Sequence, residues 1–431
     1  MKGHRVPMPL RVYGGVTAAA SLLAPAWLGY RVRKGKEDPR RLAERRGFAS
    51  AARPKGSMVW VHGASVGEVL SVLPLIDRLI ERGFKVLLTS GTLTSGRIAA
   101  RRSHPSLIHQ FVPLDARRFV TRFLDHWRPD LALLAESELW PNLMGELGRR
   151  GTPLVLVNGR LSSRSSDRWA KLPKSARKLL SNVDLCLAQS RDDGQRFQAL
   201  GAPRVEVAGN LKFDVPPPQA DPEALERLGR VVRGRPVLLA ASTHPGEDQV
   251  VIDAHRMLQA ELPGLITIIA PRHPERGEEV LALAEGAGLP ALRRSTGALP
   301  TTDTEIYVAD TIGELGVFYR LAPVVYVGGS LVRHGGQTPI EAAKLGAVVL
   351  HGPHVWNFGA LYARLDEEGG AAQVTDADSL ADHVLAQLAD RSLHARTAEA
   401  ARRTTEALGG ALDRTLAAIE PYLVQIRLAR R

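Results

Sequence analysis

The feature that most constrains this chain is an alternation, run through twice, of short apolar β-type segments with helical patterns. SMVWVHG, FKVLLTSG, HQFVPLD, DLALLAES, PLVLVNG and VDLCLAQS follow one another, with helical stretches such as VLSVLPLIDRLIERG among them. Alternation of this kind predicts βαβ units and a parallel sheet, with ligands outside the carboxyl ends of the strands. The proline-rich segment VPPPQADPE (215–223) reads as a linker, after which PVLLAAST, LITIIAPRH, EIYVAD, PVVYVGGS and AVVLHGP restart the series. At 431 residues the chain exceeds the size at which one core keeps growing, so two α/β domains of roughly 180 to 200 residues are expected. The end of the chain, 380–431, reads as helical throughout.

One device occurs in both halves: an apolar strand, a glycine-containing loop, then a helix with a glutamate in its first turn. The copies are MVWVHGASVGEVLSVLPLIDRL, with Glu68, and VVYVGGSLVRHGGQTPIEAAKLG, with Glu341. Glycine lets a backbone approach a ligand closely, and the free N–H groups at a helix start favour anions such as phosphate. Two such junctions suggest a cleft between two similar domains.

Composition is that of an α/β protein, 44% hydrophobic and 24% charged, with 57 Lys plus Arg against 45 Asp plus Glu. The net charge of +12 favours anionic partners. Aromatics are only 5%, and no zinc-ligand cluster or RNA-binding signature occurs, which argues against nucleic acid as the partner. The single cysteine, Cys186, lies in the apolar run VDLCLAQ and reads as a small buried hydrophobe in a reducing compartment. Residues 12–30 carry no charge and are long enough to span a bilayer as a helix, although Gly14, Gly15, Thr17 and Pro25 weaken the span. Eight Lys or Arg follow within 31–46 and three precede, so the positive-inside rule predicts an anchor whose downstream chain stays in the cytoplasm; a cleaved signal, since Ala24-Pro25-Ala26 imitates a cleavage site, and an ordinary or interfacial helix are the alternatives. The same charges suit anionic head groups.

The chemistry-bearing residues fall beyond strand ends. Glu68 is placed to accept a proton from an attacking hydroxyl, but Ser65 to Glu68 also fits S-x-x-E, a capping box. In LLAESELWPNL, strand alternation puts Glu136 and Glu138 on one side, where two carboxylates raise each other's proton affinity or need a cation. Lys212 in AGNLKFD is a cation suited to charge developing on a leaving phosphate. Arg272, His273 and Arg276 in IIAPRHPERG offer donors for a phosphate clamp. Asp310, Gly313 and Glu314 in VADTIGEL lie at a turn and helix start, where capping alone accounts for Asp310. In GGQTPIEAAKLG, Thr338 suits an N-cap, Pro339 the first helical position and Glu341 the third. No P-loop, no dinucleotide GxGxxG and no persuasive metal-ligand set occurs, so chemistry without metal or cofactor is preferred.

In order along the chain, HGASVGE, FVPLD, ESELWPNL, NGRLSSRS, AQSRDDGQRFQALGA, GNLKFD, ASTHPGE, PRHPER, DTIGEL, GGSLVRHGGQTPIEAA and HGPHVWNF closely resemble the 3-deoxy-D-manno-octulosonic acid (Kdo) transferases of Gram-negative lipopolysaccharide synthesis. The resemblance implies a GT-B glycosyltransferase. Its parts would be an anchor and basic segment (1–46), a Rossmann-like acceptor domain (47–214), the linker (215–223), a Rossmann-like nucleotide-sugar domain (224–408) and a helix returning to the first domain (409–431). It implies transfer of Kdo from CMP-Kdo to the tetraacyl disaccharide precursor of lipid A (lipid IVA) at the cytoplasmic face of the inner membrane. By position, Glu68 resembles the family's general base, and Glu136 or Glu138 together with Lys212 its transition-state supports. Arg272 and His273 resemble the CMP phosphate contacts, Ile312, Gly313 and Glu314 the segment near the nucleotide, and Glu341 the ribose acceptor. Where the family usually has GGHNPLEPA this chain has GGQTPIEAA, so Gln337 and Thr338 put the nucleotide contact at 338 in question. The rival readings are another GT-B enzyme using or epimerising a different sugar nucleotide, and a non-catalytic protein binding anionic lipid.

Overall fold

The computed structural model describes residues 6–102 and 104–429. The chain forms two compact units, Met1–Val215 with Leu408–Arg431, and Pro216–Ala407. Each is built on a seven-stranded parallel sheet flanked by helices.

In the first unit the strands are β1 (Met58–Gly63), β2 (Lys85–Ser90), β3 (Leu107–Phe111), β4 (Leu131–Ala135), β5 (Leu154–Gly159), β6 (Leu185–Ala188) and β7 (Val205–Val207). Their order is β3-β2-β1-β4-β5-β6-β7. Every residue of β1, β4, β5 and β6 is buried, as strands covered on both faces must be. One face packs Val59, Val61 and Leu133 against the helix Val66–Glu81 and against Leu416, Ile419 and Leu423 of the last helix, Ala411–Leu428. The other packs Trp60 against Phe123 and Trp127 of the helix Arg117–Trp127, with Met144 and Leu147 of the helix Pro141–Arg150. Asp214 closes this unit's topology locally, accepting the N–H groups of Gly410 and Leu412 at the start of the last helix.

The second unit holds β8 (Val237–Thr243), β9 (Ile266–Pro271), β10 (Ala291–Arg293), β11 (Ile306–Val308), β12 (Val324–Val327), β13 (Val348–His351) and β14 (Ala371–Gln373), in the order β10-β11-β9-β8-β12-β13-β14. In each sheet the chain works outward from one strand and then returns to that strand's other side. The reversal falls between β1 and β4 in the first unit and between β8 and β12 in the second. A crevice opens at the carboxyl ends of the strands at such a point, because the loops on its two sides diverge.

Three sequence expectations change. The helical end of the chain is broken at Asp390 and at 408–410, giving the helices Ala377–Ala389, Arg391–Ala407 and Ala411–Leu428. Glu136 and Glu138 do not share a strand face by alternation: β4 ends at Ala135, and Glu136 takes a left-handed φ of 53° in the turn that follows. The helix carrying Glu341 is only Ile340–Lys344, with Pro339 before it and no side-chain cap; Thr338 Oγ1 accepts the Ile340 N–H at 3.3 Å.

Candidate active site

At the first reversal, His62 is the next-to-last residue of β1 and Glu68 lies in the first turn of the helix that follows, while Glu136 and Glu138 lie beyond β4, a neighbour of β1 in the sheet. The capping box is made. Ser65 Oγ accepts the Glu68 N–H at 3.3 Å and donates to Glu68 Oε1 at 2.7 Å, and the Ala64 N–H donates to Glu68 Oε2 at 2.9 Å. Burial pushes the Glu68 carboxyl up from the usual range; the bonds from Ser65 and Ala64 oppose that, and the charges of Glu138 and Glu136 reinforce it. The Glu68 carboxyl therefore has a raised proton affinity.

Glu138 behaves in the opposite way. Burial works against its charge, but His62 and Trp140 outweigh burial and hold the carboxyl below its ordinary value. Trp140 Nε1 donates to Glu138 Oε2 at 2.5 Å, and His62 Nε2 lies 3.4 Å from the same oxygen. His62 is itself fully buried, its Nδ1 2.9 Å from Thr89 Oγ1 on β2. Two carboxylates with proton affinities pushed apart in one crevice are an arrangement suited to acid–base work.

Lys212 supplies the cation. Its Nζ lies 2.9 Å from Glu136 Oε1, and a Cβ added at Gly67 would meet its Cε at 4.0 Å, which places the ammonium beside the start of the Glu68 helix. The short turn Leu211–Phe213 that carries it is held by two amides: Asn210 Oδ1 accepts the Lys212 N–H, and Asn158 Oδ1, at the end of β5, accepts the Leu211 N–H. The four residues Glu68, Glu136, Glu138 and Lys212, drawn from three separate motifs, are thus brought together.

At the second reversal, Glu247 organises the glycine loop, a role the sequence reading missed. Its carboxylate accepts from Tyr326 Oη at 2.7 Å and from the backbone N–H groups of His244, Gly329, Ser330 and Leu331 at 2.7 to 3.0 Å. The sequence pattern assigned close backbone approach to the glycines and free N–H groups to the helix starts. Within the loops themselves, internal carboxylates take amides in both: Glu68 that of Ala64, and Glu247 those of residues 329–331.

Donors for an anion come from side chains. Arg272 and His273 are exposed beyond β9. The His273 and His334 rings lie 6.4 Å and 3.9 Å from the ring of His244. Gln337 Nε2, which only donates, is 3.1 Å from His244 Nε2, so that imidazole nitrogen accepts. Burial first, then the neighbouring His334, depresses the proton affinity of His244, in keeping with a neutral ring. Glu341 is half-buried; burial raises its carboxyl and the Arg272 charge opposes this. The Arg276 guanidinium is already engaged by Asp248 and Glu279. Asp310 does not cap a helix but accepts from Arg293 and Ser295. Glu314 is paired with Arg294 at 2.6 Å and held low by it, with Thr311 adding a bond, while Ile312 beside Gly313 is 78% exposed. Among the described residues, no group of three or more His, Cys, Asp or Glu is placed to hold a metal ion.

A family model described as 3-Deoxy-D-manno-octulosonic-acid transferase (kdotransferase) matches residues 40–215. The 3-deoxy-D-manno-octulosonic acid transferase of Haemophilus influenzae is 36% identical over 89% of this chain and 91% of its own length. That of Bordetella pertussis is 39% identical over 88% of this chain and 90% of its own length. Among solved structures, a glycosyltransferase from Rickettsia africae (TM-score 0.59, 14% identity, 86% of this chain and 99% of that one) shares the fold. So does UDP-GlcNAc 2-epimerase from Neisseria meningitidis (TM-score 0.58, 12% identity, 86% and 100%).

Proposed function

Because this chain belongs to the 3-deoxy-D-manno-octulosonic acid transferase family and has the GT-B architecture, we propose that it transfers Kdo from CMP-Kdo to lipid IVA with inversion. The observation that carries the mechanism is the crevice of three carboxylates and one ammonium at the first sheet's reversal. Glu68, its proton affinity raised, takes the proton of the acceptor hydroxyl as that oxygen forms its bond to the anomeric carbon of Kdo. The bond from that carbon to the phosphate oxygen breaks, and CMP departs with the electron pair.

Lys212, fixed by Glu136, offsets negative charge that develops as the bond breaks, and Glu138 with His62 keeps a second, ionised carboxylate in place. Arg272 and His273 hold the CMP phosphate, Glu341 accepts from the ribose hydroxyls, and Ile312, Gly313 and Glu314 with Thr338 border the nucleotide. Since CMP is a good leaving group, the reaction is read as needing no metal.

The helix Met8–Arg33 is long and apolar enough to meet a bilayer, and basic residues follow it. These features support attachment to the cytoplasmic face of a bacterial inner membrane. An apolar cavity of about 420 Å³ between this helix and the domain is lined by Ala24, Trp27, Phe119 and Trp140 among others. Trp140, in the wall of this space, is the residue bonded to Glu138, which supports reading the space as room for acyl chains near the site. The test is transfer in vitro from CMP-Kdo to the tetraacyl acceptor, comparing wild type with Glu68→Ala. Absence of product from the wild type, or undiminished product from the variant, defeats the proposal.

A further inference from the structure

Apolar helices near an N-terminus are ordinarily read as bilayer spans, but Met8–Arg33 has two faces with different occupants. On one face, Tyr13 Oη donates to Asp115 Oδ2 at 3.0 Å, Asn142 Nδ2 donates to Thr17 Oγ1 at 3.0 Å, and the Arg118 guanidinium bonds the Ser21 carbonyl. Further along, Ala24 packs with Ala116 and Phe119, and Leu28 is buried. At the end, Arg31 pairs at 2.8 Å with Glu37, which is itself buried. At 100° per residue, positions 13, 17, 24 and 28 fall within an arc of about 60°. A flanking set, Val12, Val16, Leu23, Trp27 and Tyr30, fills a second arc of about 60°, its centre about 100° round the helix from the first, and is 46 to 70% exposed.

The docked stretch from Tyr13 to Arg31 covers about 27 Å at 1.5 Å per residue, most of a bilayer's hydrocarbon thickness. Were the helix to span while docked, Asp115, Arg117, Arg118 and Arg122 beside it would enter that hydrocarbon, at a cost of several kcal/mol each. Spanning therefore requires the helix to leave its seat and to break the bonds at Tyr13, Thr17 and Ser21. Lying flat requires neither. It places the exposed apolar stripe in one leaflet, with the side chains of Trp27 and Tyr30 where such rings prefer to sit. The Arg31 guanidinium lies 4.9 Å from the Trp27 ring and the Lys34 ammonium 5.8 Å from the Tyr30 ring. Exposed Arg33, Lys34, Lys36 and Arg40 at one end, and Arg117 and Arg118 alongside, match anionic head groups.

We infer that Met8–Arg33 is a monotopic, in-plane membrane helix, docked on its own domain through one face and seated in a single anionic leaflet through the Val12–Val16–Leu23–Trp27–Tyr30 stripe. The inference rests on the membrane reading of this helix and fixes how the domain is held at the surface.

Two measurements on the full chain in native membranes test it without using transferase activity. Cys186 is fully buried and its thiol is pushed up to about 12, chiefly by burial, so it stays silent towards maleimides. With a membrane-impermeant maleimide, Met8→Cys and the domain reporter Lys55→Cys are expected to react from the same side of sealed vesicles. Reaction from opposite sides means a span and overturns the inference while leaving membrane attachment intact; recovery of the protein in the soluble fraction overturns both. In the double variant Thr17→Cys/Asn142→Cys, copper phenanthroline is expected to give an intramolecular disulfide in most molecules. Failure to cross-link in a variant whose thermal unfolding matches wild type shows an undocked helix and also overturns it.

Discussion

Replacing Glu68 by glutamine separates the two jobs its position allows. The carboxylate accepts from the Ala64 N–H at 2.9 Å and from Ser65 Oγ at 2.7 Å. A glutamine keeps both contacts, since its carbonyl accepts from Ala64 and its amide donates to Ser65 Oγ, and Glu and Gln serve equally in this kind of cap. Alanine would remove cap and base together and so confound them; losing a cap costs about 0.5–2 kcal/mol. Losing a general base slows reaction by about 10²–10⁴, or about 2.7–5.4 kcal/mol of barrier at 1.36 kcal/mol per decade. Stability has its own sign. A carboxyl raised by burial binds its proton more tightly folded than unfolded, so the stability it lends is full below the unfolded value and is lost as pH rises through the folded one. Glu68→Gln has no such loss, and its melting temperature at neutral pH should equal or exceed that of wild type. Single-turnover transfer from CMP-Kdo should fall by about 10²–10⁴, and the acidic limb of the pH–rate profile, displaced upward from the usual carboxylate range in wild type, should vanish. A variant that transfers within about threefold of wild type, or that loses more than about 2 kcal/mol of stability, refutes the reasoning.

Other substitutions probe the remaining parts. Lys212→Met should lower the single-turnover rate by about 10²-fold with little change in acceptor binding if, as proposed, the ammonium acts on charge that develops late. Glu136→Gly should stabilise the first unit by about 1 kcal/mol in chemical denaturation, by relieving a φ of 53°, while reducing the rate through the freed Lys212. Glu247→Leu strands five donors and should cost about 3 kcal/mol or more, seen as early unfolding of the second unit in calorimetry. Glu341→Gln should raise the KM for CMP-Kdo about tenfold with kcat nearly unchanged, as expected for a contact made equally in ground and transition states.

Contacts local in sequence were legible. Ser65 and Glu68 are three residues apart on one helix start, and the capping box is made as the pattern requires. The strands were legible because burial on both faces leaves unbroken apolar runs such as MVWVHG and LALLA. What depended on strand order was not. His62 meets Glu138 only because β4 lies beside β1, whereas β2 and β3 run outward on the other side. Alternation failed for Glu136 because it assumes that the strand continues, and β4 stops one residue earlier. Nothing local in THPGED marks Glu247 for its role, because the loop amides it binds lie 82 to 84 residues downstream. Thr338 and Pro339 matched an N-cap and first helical residue, but the chain turns helical only at Ile340.

With the amides of Gly329, Ser330 and Leu331 committed to the Glu247 carboxylate, the first part of the second unit's glycine loop is held from within the protein. Its shape is set by internal contacts, and on the proposed function ligand choice would fall to the side chains around it: Arg272, His273, His334 and Gln337. Binding preference and folding are thereby separated in this region. A library varying those four positions against a fixed Glu247 would sample donor specificity on a scaffold that does not unravel as it is searched.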